Sequence, residues 1–292
     1  GSFLYHFDKN LVSIGYVIHL NYTNPYVSPF DEFQQFKTHP SVKKVLKGGK
    51  RISYGARAIT TGGYQSVPKL YFPGGAIIGC SAGFLNYPKI KGTHNAMESG
   101  MLAAEAIIDN YISNNQENDL TNYQEKYENS RIAKELKRVR NIKPYQARYG
   151  VLLGTLFSGL DMWLSTFGIT VPFTLGHNKP DHKTLRKASE CNEIEYQKPD
   201  GKFSFDKLSS VFLSNTNHEE DQPSHLTLKD SLIPISYNLP EYDEPAQRYC
   251  PAGVYEIIKS SESNEPCLQI NAQNCVHCKT CDIKDPSQNI NW

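Results

Sequence analysis

The sequence lacks a charge surplus. Its 31 basic side chains are matched by 30 acidic ones, so there is no electrostatic case for nucleic acid as a partner. It also lacks a disulfide framework. Seven cysteines is an odd number, and Cys80, Cys191 and Cys267 are scattered without a pairing pattern. No G-x-G-x-x-G follows a strand-like run, so the pyrophosphate half of a dinucleotide site is missing. The mean hydropathy is negative, which speaks against a polytopic membrane protein. The chain opens on Gly1-Ser2-Phe3 rather than methionine, with no signal or transit pattern, and is expected to be a piece of a longer protein. At 292 residues it can hold one large or two modest domains with a real core.

The cysteines that are not scattered carry the most information. Cys275-Val276-His277-Cys278-Lys279-Thr280-Cys281 is a C-x2-C-x2-C arc, too tight for the separated thiolate pairs of an ordinary zinc finger. It matches the arc that wraps three corners of a cubane iron–sulfur cluster. In two-cluster bacterial ferredoxins the next Cys-Pro serves the other cluster. Here Asp285-Pro286 stands in that place, so a second cluster has lost its ligand. Upstream, Cys250-Pro251 is a Cys-Pro without a triplet of its own. One 4Fe–4S cluster held by Cys250, Cys275, Cys278 and Cys281 is the reading. Thr280, inside the arc, is the candidate for tuning it by donation to sulfur. A zinc site built from Cys275, Cys278, Cys281 and either His277 or Cys250 stays open as an alternative.

The rest of the chain reads as α+β. Residues 3 to 22 form a hairpin turning at Asp8-Lys9-Asn10. Asp31–Phe36 and Ser41–Leu46 read as short helices, the second capped by Ser41. Strand-like alternation returns over Lys50–Ile59 and Gly62–Leu70. Ala76-Ile77-Ile78 fits a buried strand, followed by a tight turn over Gly79 to Gly83 and a helix opening near Thr93, its expected cap. A charged amphipathic helix covers Leu120 to Arg140, with Tyr123, Tyr127, Ala133, Leu136 and Val139 on its apolar side. Residues 180 to 249 read as loop-rich, with strands near Phe203–Phe205 and Ser210–Leu213.

Two further segments suggest chemistry. A strand, a small-residue turn and a helix N-terminus could face the pyrimidine end of a flavin, where free N–H groups stabilise the anionic reduced ring. The window 150–170 is about long enough to span a bilayer, but Asp161 and four glycines argue against one spanning helix. Leu156, Phe157, Leu160 and Trp163 fall on one side, and Arg138, Arg140, Lys143 and Arg148 precede it. That pattern suits a helix lying in one leaflet; a buried core helix is the alternative.

Taken together, GGKRISYGARAI, IIGCSAGFLNYPKIKGTHNAMESGMLAAEAI, KPDGKFSFDKLSSVFLSNTNHEEDQPSHLTL and the cysteine-bearing tail resemble the electron transfer flavoprotein–ubiquinone oxidoreductase family, essentially end to end. The resemblance implies a flavoprotein with interlocked FAD, ubiquinone and 4Fe–4S regions. Such an enzyme takes electrons from reduced electron transfer flavoprotein and passes them to ubiquinone. It sits on the matrix face of the mitochondrial inner membrane or on the bacterial counterpart. The implied division is residues 1–115 for part of the FAD/ubiquinone region, 116–180 for a membrane-associated quinone region, and 181–292 for a ferredoxin-like cluster domain. Flavin contacts are implied at Gly79, Cys80, Gly83, Lys91, Gly92 and Thr93, and a quinone contact at Gly1. The Rossmann-type half of the FAD site is absent, so tight FAD binding by this chain alone is not expected. A soluble ferredoxin-like carrier and a zinc-stabilised interaction module are the other two classes considered.

Overall fold

A computed structural model of the chain describes residues 1–113, 120–219, 221–260 and 264–292. The fold is mixed helix and sheet. The chain divides into two compact units: one is built from residues 1–58 and 179–292, the other from 59–178. The boundary expected between 115 and 116 lies outside the described residues.

The first unit begins with the antiparallel hairpin β1 (Ser2–Phe7) and β2 (Leu11–Tyr16), turning where the sequence places it, with Asp8 in the left-handed region. Helices α1 (Pro29–Thr38) and α2 (Pro40–Leu46) follow. The cap of the second is not Ser41. Ser28 accepts the Asp31 N–H to cap α1, and the His39 ring accepts the Ser41 N–H to cap α2, so Ser41 already lies inside the helix. Pro40 sets the boundary because it has no N–H to leave unpaired at a first helical position. Lys50–Ala58 joins no strand among the described residues; Arg51 bonds the Ser209 and Ser210 hydroxyls and the Tyr54 N–H the Leu213 carbonyl, while the Tyr54 hydroxyl, Arg57 and Ala58 reach the cysteine-bearing segments described below.

The second unit opens with the same departure: Gly62–Leu70 holds a single 3-10 turn at Tyr64–Ser66 and no strand. A two-residue hairpin, β3 (Tyr71–Phe72) and β4 (Gly75–Ala76), replaces the expected buried strand. Ile78 is exposed. The turn over Gly79–Ala82 is a 3-10 turn closed by left-handed Gly83. Helix α3 (Thr93–Ile112) starts at Gly92, without a side-chain cap, and Thr93 is its first residue instead. The expected helix over 120–140 is two, α4 (Thr121–Asn129) and α5 (Arg131–Arg138). Ser130 breaks it because its hydroxyl caps α5 through the Ala133 N–H. Four of the five residues of the predicted apolar side hold: Tyr123, Tyr127, Ala133 and Leu136 are buried with Leu70, Phe84 and Ala106 in this unit's core, whereas Val139 follows the end of α5 and is half-buried outside it.

Helix α6 (Ile142–Thr166) kinks at Gly150, whose φ of 72° only glycine adopts readily. The second half approaches the first so closely that a Cβ on Gly154 would lie 2.6 Å from the Gln146 Cα. The polar residues Ser158 and Asp161 face inward and are buried, whereas Leu152, Leu156, Leu160 and Trp163 are more than half exposed. Asn141 donates to the Asp161 carboxyl, whose pKa burial still raises. No helix of the described residues is long and apolar enough to cross a membrane.

The first unit resumes with α7 (Lys207–Phe212), where a strand was expected. Asp206 caps it by accepting the Ser209 N–H, and this local hydrogen bond outweighs the β-propensity of Val211 and Phe212. Phe203–Phe205 forms no strand either; the Asp200 carboxylate accepts three successive N–H groups there and folds a turn. Strand β5 (Thr227–Leu228), helices α8 (Leu239–Tyr242) and α9 (Ala246–Tyr249), strands β6 (Tyr255–Lys259) and β7 (Pro266–Ile270), helix α10 (Thr280–Lys284) and strand β8 (Ile290–Asn291) complete it. β6 pairs with β7 and β5 with β8, both antiparallel. Buried Lys284 donates to the Tyr22 and Asp181 carbonyls and the Thr184 hydroxyl, binding α10 to two remote segments.

Candidate metal centre

Three elements carry the four cysteines to one place. Cys250 closes α9. Cys275 ends a 3-10 turn over Ala272–Asn274. Cys278 precedes Lys279, which caps α10, and Cys281 lies inside that helix. The arc between them is tightly wound, since His277 and Lys279 both take positive φ, 55° and 66°. All four cysteines are buried. Cys250, Cys275 and Cys281 share one apolar core with Tyr249, Val254, Tyr255 and Ile290, and Cys278 lies close enough to raise the pKa of each of the other three. Cys80, Cys191 and Cys267 lie outside this core.

The carbonyls of the arc are tied down from outside. The Ala58 N–H donates to the Cys278 carbonyl at 2.8 Å, Arg57 to that of His277 at 2.9 Å, and the His218 ring nitrogen Nε2 lies 3.0 Å from that of Cys275. Tyr54 donates its hydroxyl to the Pro251 carbonyl beside Cys250. The extended strap Lys50–Ala58 thus clamps the arc and the Cys250 turn together. The N–H groups face the sulfurs. That of His277 donates to the Cys275 Sγ at 3.4 Å, those of Ala252 and Val254 serve Cys250, and that of Asp282 serves Cys281. The Trp292 indole favours the Cys275 thiolate. The buried Tyr255 hydroxyl has no oxygen or nitrogen partner among the described residues; the Cys281 sulfur lies beside it.

Electrostatics make this a poor place for free thiolates. Burial pushes the Cys250 thiol up to about 12 and that of Cys281 up to about 11, and raises that of Cys275. A cationic metal core reverses this, because a coordinated thiol is deprotonated outright. Four soft thiolates buried side by side, with N–H donors and the Tyr255 hydroxyl beside them, fit a 4Fe–4S cluster. Thr280 is buried at the start of α10, between Lys279 and Cys281.

Three histidines stack beside the arc. The rings of His218 and His225 lie 5.4 Å apart, and His277 lies 5.0 Å from each, with Trp292 edge-on to His225 and His277. Burial and the neighbouring imidazoles lower the His225 pKa; burial, His218 and Arg57 lower that of His277.

The residues expected to meet a flavin come together in the second unit. Gly79 has φ 64° and donates its N–H to Ser99. A Cβ on Gly79 would touch the Ala96 Cβ at 3.4 Å, and one on Gly92 would lie 3.6 Å from the Cys80 sulfur, so the turn lies directly on the start of α3. Lys91 pairs with Asn86 in an isolated bridge that orients Gly92 and Thr93. Gly1, at the head of β1, accepts the Val17 N–H. Sequence reasoning had no view of Tyr54, Arg57, His218, His225 or Tyr255. Tyr54 and Arg57 lie in one of the motifs that carry the family resemblance, but nothing in their spacing said that they clamp the arc.

A pocket of clustered thiols held by a strap and a ferredoxin-like arc is the class of site that holds an iron–sulfur cluster. Two family models match the chain. "Electron transfer flavoprotein-ubiquinone oxidoreductase, 4Fe-4S" covers residues 201–292, and "ETF-QO, ubiquinone-binding" covers residues 1–59. Among curated relatives, the electron transfer flavoprotein-ubiquinone oxidoreductase of Pseudomonas aeruginosa is 57% identical over 293 residues, 100% of this chain and 53% of its own length. The mitochondrial enzyme of Sus scrofa is 56% identical over 300 residues, 100% of this chain and 48% of its own. That of Caenorhabditis elegans is 52% identical over 301 residues, 100% and 50%. The chain belongs to the electron transfer flavoprotein–ubiquinone oxidoreductase family, and spans about half the length of the curated relatives it matches.

Proposed function

We propose that this chain is the part of a respiratory oxidoreductase that holds a 4Fe–4S cluster on Cys250, Cys275, Cys278 and Cys281, and that the whole enzyme carries electrons from reduced electron transfer flavoprotein to ubiquinone. The convergence of four buried thiols, Cys250, Cys275 and Cys281 in one core and Cys278 close to all three, with N–H groups and the Tyr255 hydroxyl beside them, carries this reading. Such a cluster supplies one-electron transfer without proton chemistry at the protein. The chain's own residues bind it, exclude water from it, and set its potential through the donors on Cys250, Cys275 and Cys281.

The same reading gives the rest of the chain its roles. Gly79, Cys80, Gly83, Lys91, Gly92 and Thr93 form the ring-facing part of an FAD site whose pyrophosphate half lies elsewhere in the enzyme. Gly1 and the hairpin after it belong to the ubiquinone site. Residues 1–115 are part of the FAD/ubiquinone region, 116–180 the membrane-associated region and 181–292 the cluster domain. Leu156, Phe157, Leu160 and Trp163 dip into one leaflet of the mitochondrial inner membrane on its matrix side, or of the bacterial membrane. The exposed apolar face of α6, backed by buried Ser158 and Asp161, supports that orientation.

The test is iron and acid-labile sulfide analysis with EPR of the reduced full-length enzyme. Cys250→Ser is expected to abolish the cluster signal as fully as Cys278→Ser, while Cys191→Ser and Cys267→Ser keep it. An intact signal in the Cys250 variant overturns the ligand set. One bound zinc in place of four irons in the unmodified enzyme overturns the redox reading.

A further inference from the structure

Cys275 has two sets of neighbours. On one side are the other three cysteines; on the other are His225 and His277. The ligand atoms of His225, Cys275 and His277 all lie within 4.8 Å of one another. Two observations distinguish this group from a chance cluster. First, the Nε2 of His225 is buried and has no hydrogen-bond partner among the described residues, a costly state for a polar nitrogen. Second, the rings are held in place: His225, His218 and His277 pack mutually with centroids 5.0–5.4 Å apart, and Trp292 lies edge-on to His225 and His277. His218 is not a third imidazole ligand, because its Nε2 is engaged with the Cys275 carbonyl.

We propose that His225, Cys275 and His277 form a single-ion site for a divalent transition metal, Zn2+ above all, when the chain does not carry its cluster, and that ion and cluster exclude each other because both need Cys275. Two imidazoles and one thiolate are a borderline-soft set suited to Zn2+ or Co2+, with water in the fourth position. Bonds of about 2.0–2.3 Å in a tetrahedron place ligand atoms roughly 3.5 Å apart, so the three groups must close by about 1 Å, within reach of side-chain rotation. Binding forms one metal–sulfur and two metal–nitrogen bonds, and the Cys275 thiol gives its proton to solvent; nothing is oxidised or reduced. The site goes beyond the electron-transfer reading, and it differs from a zinc site in the cysteine set because it needs His225 and does not need Cys278.

The experiment uses the full-length enzyme, cluster-loaded and after anaerobic removal of iron by a chelator, titrated with Co2+. The cluster-free enzyme is expected to bind one equivalent with a thiolate-to-cobalt charge-transfer band and tetrahedral d–d bands; the loaded enzyme is expected to show neither. His225→Phe, which keeps a ring in the stack, and His225→Gln, which keeps a polar group, should each weaken Co2+ by roughly tenfold or more. Cys278→Ser should not. Circular dichroism of each variant checks the fold. Absence of the charge-transfer band overturns the proposal, as does loss of binding in Cys278→Ser with both His225 variants unaffected. A charge-transfer band of equal strength in the cluster-loaded enzyme overturns the mutual exclusion.

Discussion

The Asp285 carboxylate accepts the Asn289 backbone N–H at 2.5 Å. It also accepts the Ile290 N–H, the Ser287 hydroxyl and the Asn238 amide, and the residue is 1% exposed. The position where a two-cluster ferredoxin keeps a ligand is therefore occupied by an organiser of the segment leading to β8. Hydrogen bonds to a charged group are worth about 1.5–3 kcal/mol each. Asp285→Ala strands several donors and is expected to destabilise the first unit by about 3 kcal/mol or more, read as a lower thermal midpoint. Asp285→Cys is expected to be similarly destabilised and to bind no more iron than the parent, which iron analysis checks.

The potential of the cluster is the second quantity the structure addresses. The Tyr255 hydroxyl is buried beside the Cys281 sulfur with no other partner among the described residues. A donor to sulfur favours the reduced, more negative cluster. A net hydrogen bond of about 1 kcal/mol corresponds to about 40 mV for a one-electron couple. Tyr255→Phe is expected to lower the midpoint by that order while iron content stays the same. Thr280→Ala tests the residue that the sequence suggested, and is expected to act in the same direction. A redox titration monitored by EPR decides both; an unchanged or raised midpoint contradicts the assignment for that residue.

Glu244 gives a pH dependence with a definite sign. It is 1% exposed, and burial, with Asp285 nearby, pushes its carboxyl up to about 7 from an ordinary 4.5. The Ala246 N–H donates to one oxygen; the other has no hydrogen-bond partner among the described residues. A raised carboxyl pKa means that the folded chain holds a proton which the unfolded chain releases. The penalty is absent below about pH 4.5, grows up to about 7 and is constant above. Stability should therefore fall across that window, by about 3 kcal/mol at most. Glu244→Gln removes the titration. Its stability relative to the parent should improve by up to that amount between pH 4.5 and 8, measured by denaturant unfolding at both values.

How much of this was legible in the sequence divides along physical lines. The cysteine arc was legible because ligand spacing is a local property, and Cys250 because a lone Cys-Pro complements a missing one. The β1–β2 hairpin and the buried faces of α4 and α5 followed from periodicity. What failed were places where one side-chain hydrogen bond sets the backbone: Ser28 and His39 rather than Ser41, Ser130 breaking a helix, Asp206 turning an expected strand into α7. The strap read as a strand because its residues alternate, but its hydrogen-bond partners lie about two hundred residues away, and no local pattern announces them. The same holds for the histidine stack, assembled from three positions with no common spacing.

The face of α6 is the last matter to test. Leu156 is 65%, Phe157 39%, Leu160 52% and Trp163 59% exposed, while the inward side is made of Gly154, Ser158 and Asp161. This is the reverse of a helix packed on a protein core. Arg138, Arg140 and Arg148 direct their N–H groups to carbonyls of the segment 165–176, which folds back along the helix. Burying one such apolar side chain in lipid is worth roughly 1.5–3 kcal/mol. Replacing the four with serine is therefore expected to release the full-length enzyme from vesicles in a flotation assay. Because the four are already exposed in this chain, the change opens no large cavity, and iron content should stay at the parent level. Electron transfer to a long-tailed ubiquinone should fall more than transfer to a short soluble analogue, since only the former must be drawn from the bilayer. If the variant still floats with vesicles, the helix is not the anchor. If it loses its iron and its cooperative unfolding, the face packs on protein in the complete enzyme.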